Sequence, residues 1–208
     1  MTNPHSMLAA ALLAAASLAM APAGRAADSR PCGKVILKPS EVVMHPDWGR
    51  EAGAVASRAA RPVSAGDLRR TVDAARADLD RALDAAARRA GCEVAREPGE
   101  GVAEITARAS GVYLNAIVGT EPAFARSWSD RAAEATLAAE LRDSRRGTLL
   151  ARVQERRESP RAPEPRLATP GAAAAALSRL FDGWAEHAVS ALLASRNGPS
   201  APVASPPR

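Results

Sequence analysis

The sequence predicts an α+β fold: a two-layer domain with a roughly five-stranded, mostly antiparallel sheet and two helices packed on one face. Three observations lead there. Apolar residues from Leu68 to Ala90 recur at spacings of three and four, the helical period. A second such stripe runs from Leu177 to Leu192. Between them, from Cys92 to Val153, the period changes to two, as in strands with one dry and one wet face.

The elements follow in order. Met7 to Ala26 reads MLAAALLAAASLAMAPAGRA, an apolar run with small residues that offer cleavage after Ala23 or after Ala26, the pattern of a signal peptide. It is too short to span a membrane, which takes about 20 apolar residues, and no Lys or Arg precedes Met7. The expected organisation is a signal peptide over 1–26, a single α+β domain over 32–197 and a disordered tail over 198–208. An uncleaved apolar N-terminus is the alternative.

Lys34-Val35-Ile36-Leu37 is β-rich and bounded by Cys32-Gly33 and Pro39, which predicts a short strand. Val42 and Val43 extend it past the proline. Residues 44–62 carry turn signals throughout, including His45-Pro46, Trp48-Gly49 and Arg61-Pro62. Ser64 with Asp67 three residues on forms a helix start, and Gly91 occupies the stop position, so a helix is expected over about 65–90.

Cys92 to Arg96 reads as a strand and Glu97-Pro98-Gly99-Glu100-Gly101 as a turn. From Val102 the alternation of Ala103, Ile105, Ala107 and Ala109 with Glu104, Thr106, Arg108 and Ser110 continues to Leu114. The expectation is a hairpin.

Residues 134–158, EATLAAELRDSRRGTLLARVQERRE, are rich in helix formers. A helix would run its apolar stripe through Arg145 and Thr148, however. As strands, Ala135, Leu137, Ala139 and Leu141 share one face, and so do Leu149, Ala151 and Val153, with Asp143 to Gly147 as the loop. A second hairpin is therefore preferred over one charged helix, with Gly147 supplying the positive φ such a loop requires.

Residues 159–165 form a stiff proline-rich linker. Thr169-Pro170 then supplies an N-cap and first-turn proline for a last helix ending at Asn197-Gly198. Only 3 Trp, 1 Tyr and 2 Phe are present, so the core rests on Leu, Val and Ala with anchors at Trp128, Phe181 and Trp184.

Export bears on the two cysteines, since disulfides persist in oxidising compartments. If the first two strands are parallel neighbours joined by the helix, Cys32 and Cys92 stand at the same edge of the sheet. A bridge there would stabilise by about 4 kcal/mol in the chain-entropy model; two buried thiols are the alternative. Residues 29–31, Ser-Arg-Pro, do not make a lipoprotein box before Cys32.

The net charge is +5 and nearly all of the 28 basic residues are Arg. The excess gathers between Arg142 and Arg166, and Arg142, Arg145, Arg146, Arg152, Arg156 and Arg157 are the candidate basic surface. A basic surface attracts polyanions, but a merely solvated face is the preferred explanation of the pattern. For an exported protein the expected partner is an envelope protein or an anionic envelope component rather than nucleic acid.

No nucleophile elbow, zinc motif, phosphate loop or dinucleotide fingerprint occurs. His45 with Asp47 offers a weak metal or acid–base pair, but a surface loop explains it. His187 borders the last helical stripe. Glu140 and Asp143 lie close in sequence, and an acid opening a hairpin turn commonly binds backbone amides. No catalytic residue, cofactor or metal is expected, and the protein reads as a non-enzyme.

The Val35-Ile36-Leu37-Lys38-Pro39 strand, the Glu97 to Gly101 turn with its alternating strand, Glu140-Leu141-Arg142-Asp143-Ser144 with Gly147, and the final Trp-containing helix together resemble a family of bacterial exported proteins and lipoproteins, domain of unknown function 3313 (DUF3313). The resemblance covers about 32–195 and implies location and fold rather than chemistry. The functional expectation is an uncharacterised periplasmic or secreted envelope domain that binds rather than catalyses, with no transmembrane segment in the mature chain. A basic module for anionic lipid or envelope polymer is the alternative.

Overall fold

The computed structural model describes residues 32–48, 63–116, 128–164 and 166–197. The expected signal peptide and tail lie outside the described residues. The elements are β1 (Lys34–Leu37), β2 (Glu41–Met44), α1 (Ala65–Arg89), β3 (Glu93–Val94), β4 (Val102–Leu114), β5 (Trp128–Ser129), β6 (Ala133–Asp143), β7 (Leu149–Glu158), β8 (Arg166–Leu167) and α2 (Pro170–Asn197).

The α+β expectation holds. Six strands make one sheet, ordered β3-β1-β4-β6-β7 with β2 also on β4. Strands β1 and β2 run parallel to β4, one after the other along its length. They are one strand broken at Pro39, which has no N–H to give a ladder. Ser40 beyond the break donates its N–H to Asp80 on α1 at 2.8 Å.

The sheet is mixed rather than purely antiparallel: β1 is parallel to both β3 and β4, whereas the long β4–β6 and β6–β7 ladders are antiparallel. This corrects the expected first hairpin. Strand β1 inserts between β3 and β4, so the Glu97 to Gly101 turn joins two strands that never pair. An alternating pattern identifies a strand but not its neighbour.

Helix α1 begins with Ser64 and Asp67 in a reciprocal capping box. It ends where Gly91, at φ 75°, lets its N–H reach Arg88 O and the Cys92 N–H reach Ala87 O, both at 3.0 Å. That left-handed stop costs an L side chain about 1–2 kcal/mol, and it turns the chain into Cys92. Helix α2 starts as expected, Thr169 Oγ1 accepting the Ala172 N–H at 3.2 Å.

Both helices cover the sheet face built from Val35, Ala103, Ile105, Ala107, Ala109, Leu137, Ala139 and Leu141, all buried. They run the same way, tied by Arg81–Asp182 at 3.3 Å and Arg89–Glu186 at 3.0 Å. Phe181 and Trp184 are fully buried anchors as expected. Trp48, from the loop-rich segment, is a third: it is buried and its Nε1 donates to Leu114 O at 2.8 Å.

The expected linker is stitched to the sheet. Ser159 Oγ accepts the N–H groups of Ala132 and Ala133 at 3.0 and 3.1 Å, and Ala162 N–H donates to Asp130 O. Beyond it β5 and β8 form a short antiparallel ladder of their own.

Candidate binding surface

The disulfide joins Cys32 to Cys92, 60 residues apart, with Cα atoms at 4.7 Å. Parallel pairing of β1 with β3, Lys34 opposite Glu93, sets both cysteines one or two residues before paired positions, so the topology brings them together. Arg196 in the last turn of α2 donates to Cys32 O at 3.4 Å and to Gly101 O at 3.0 Å. The carbonyls at the starts of β1 and β4 thereby gain a cationic partner.

The β6–β7 hairpin turn lies at this same end, since Asp143 pairs with Ala103 near the start of β4. Asp143 Oδ1 accepts the N–H groups of Arg145 and Arg146 at 2.9 and 2.8 Å. Those backbone bonds, first that of Arg146 and then that of Arg145, hold the carboxyl below its ordinary value of 3.8. Gly147 sits at φ 68°, as the loop requires. Ser144 N–H donates to Val102 O at 3.1 Å, fixing the tip against β4.

The six candidate arginines divide into three sets. Arg142, Arg152 and Arg156 lie on the sheet face away from the helices and are ion-paired. Glu140 takes Arg142 at 2.7 Å and Arg152 at 3.7 Å; Arg156 joins Glu134 at 3.2 Å and Glu158 at 3.5 Å. Arg157, one residue on, faces the helix side opposite Ala135 and pairs with Glu155 at 2.9 Å. Arg145 and Arg146 are exposed at the turn. Only these two present a guanidinium that no carboxylate side chain among the described residues holds in an ion pair.

Leu149 departs from the expected inward face. The register slips between Leu141 and Arg142, which oppose Ala151 and Leu149, so Leu150 is an extra residue in the ladder. Such a bulge re-aims the side chains beside it. Leu149 and Leu150 are 41% and 43% exposed, two adjacent leucines on the surface where alternation would have buried one. The sequence carries no signal for this slip beyond the doubled leucine itself.

Of the other polar candidates, His45 and Glu140 are engaged structurally. His45 Nδ1 accepts the Asp47 N–H at 3.3 Å while His45 N–H donates to Val112 O at 2.9 Å, a turn that seats Trp48. His187 is exposed on α2. Glu140 serves the outer-face arginines. Among the described residues no cluster of His, Cys, Asp and Glu could hold a metal ion, and no helix is long and apolar enough to cross a membrane.

No family model matches the chain, and no curated protein matches it. The DUF3313 resemblance therefore has only its short motifs behind it. Among solved structures, a Xanthomonas campestris protein of the DUF330 family is 14% identical, with 80% of this chain and 88% of that one covered and a TM-score of 0.41. A neuraminyllactose-binding hemagglutinin homolog from Helicobacter pylori is 8% identical, with 78% and 84% covered and a TM-score of 0.39. A minor lipoprotein from Acinetobacter baumannii is 11% identical, with 78% and 94% covered and a TM-score of 0.34.

Proposed function

We propose that the chain is an exported cell-envelope protein, periplasmic or secreted, that acts by binding another envelope component and not by catalysis. The observation that carries this is the Cys32–Cys92 bridge, a bond at home in an oxidising compartment, in a chain whose Met7 to Ala26 stretch has the composition of an export leader. The non-catalytic part is supported by where the polar side chains are spent: Asp143 on its turn, Glu140 on two arginines, His45 on a backbone amide.

Crosslinking in intact cells followed by capture of the protein tests the reading. Recovery of a reproducible envelope partner supports it. Recovery from the cytoplasm alone, or turnover of a small-molecule substrate by the purified chain, contradicts it. The polyanion alternative narrows from six arginines to the turn, because Arg142, Arg152, Arg156 and Arg157 already have carboxylates.

A further inference from the structure

We infer that the β6–β7 hairpin tip is a membrane-surface contact, taking anionic lipid phosphates on Arg145 and Arg146 and seating Leu149 and Leu150 at the acyl boundary. The inference rests on the envelope placement above and names the ligand of that surface.

Residues 145–150 are exposed without interruption. A run that combines two cations that no carboxylate among the described residues holds in a side-chain ion pair with two adjacent leucines is the composition of an interfacial contact, apolar groups supplying depth and basic groups supplying attraction to anionic headgroups. Either half alone would be unremarked surface. The bulge at Leu150 joins them by placing both leucines out of the core beside the turn.

The tip is held rigidly. Asp143 caps the turn, Ser144 bonds Gly99 and Val102, and Arg142 donates to Gly147 O at 3.0 Å. Little ordering is then required on binding. The adjoining turn carries exposed Glu97 and Glu100 against Arg96, so the positive charge is local to the tip, and the leucines separate a membrane from a soluble polyanion.

Along β7 itself, inward Glu155 and Arg157 mark an edge guarded against strand addition, which leaves the tip as the contact.

The test is co-flotation of the purified, leaderless, disulfide-bonded chain with phosphatidylglycerol–phosphatidylcholine vesicles and with pure phosphatidylcholine vesicles, alongside retention on heparin. Expected are binding to the anionic vesicles, about a five-fold loss per residue for Arg145→Gln and Arg146→Gln, and about a ten-fold loss for the Leu149→Ser/Leu150→Ser pair. Arg69→Gln, an exposed change at the start of α1, should leave binding unaltered. Unchanged melting curves keep the variants comparable, and the two arginine variants carry the test if the leucine pair unfolds. No flotation overturns the inference. Arginine-dependent heparin retention with vesicle binding indifferent to the leucines also overturns it, in favour of a soluble polyanion. Either result leaves the envelope proposal standing, since that is decided by fractionation.

Discussion

Gly99 and Ser144 hold each other across 45 residues: the Gly99 N–H donates to Ser144 Oγ at 3.2 Å, and the hydroxyl donates back to Gly99 O at 3.3 Å. One side chain thus fastens the β6–β7 tip to the turn before β4. Ser144→Ala removes both bonds and should cost about 1 kcal/mol, read as a lower urea midpoint with an unchanged slope. An unchanged midpoint would mean that water replaces the hydroxyl without loss.

Gly147 makes a graded prediction. A Cβ added there meets nothing within 4 Å, so only the backbone at φ 68° resists substitution. Gly147→Asn should be the mildest change, since Asn tolerates the left-handed region. Gly147→Ala should cost about 1 kcal/mol and Gly147→Val more. Equal melting temperatures for the three variants would refute the positive-φ turn.

Two aspartates contribute to the acid limb of stability. Asp67 is lowered from 3.8 first by the Ser64 hydroxyl bond, then by the Ser64 backbone bond and Arg70; Asp143 is lowered by the Arg146 and Arg145 amides. Because both folded values lie below the unfolded one, the unfolded chain binds more protons in between. Their stabilisation is present above pH 3.8 and fades as pH falls through the folded values. Urea titrations should show Asp67→Asn and Asp143→Asn variants with a shallower decline below pH 4 than the parent; parallel declines would count against the caps.

Trp48 and Trp184 are both buried, but only Trp48 has a partner for its indole, Leu114 O at 2.8 Å; Trp184 Nε1 has none among the described residues. Truncation to Phe removes similar volume at each site. Trp48→Phe also strands an acceptor, so it should exceed Trp184→Phe by about 1–3 kcal/mol in unfolding free energy. The reverse order would place the missing partner of Trp184 outside the described residues.

What could be read in advance was local. Ser64 and Asp67 sit three residues apart, Gly91 follows the last apolar position of α1, and Asp143 with Gly147 brackets a turn, so each signal acts within a few residues of its effect. Strand β4 was legible because its alternation runs unbroken to Ser110. Partner choice was not: nothing between Cys92 and Gly101 tells that β1 will lie between β3 and β4, since a parallel neighbour leaves no mark on the local pattern.

The surface was legible only as composition. Arg156 and Arg157 are adjacent letters on opposite sheet faces, and the carboxylates that engage Arg142, Arg152 and Arg156 come partly from the neighbouring strand. Leu149 was misplaced for a related reason. Its orientation depends on the one-residue slip opposite Arg142, a cross-strand event. Trp48 lay in a segment whose prolines and glycines hid its role, and its anchor, Leu114, is 66 residues away.

The most direct test is the intact mass of the native protein, recovered from the envelope or medium and alkylated without reduction. The expected result is a chain beginning at Gly24 or Ala27, with no alkylated thiol and a Cys32–Cys92 cross-linked peptide on digestion. A full-length chain confined to the cytoplasm with two alkylated cysteines would contradict it.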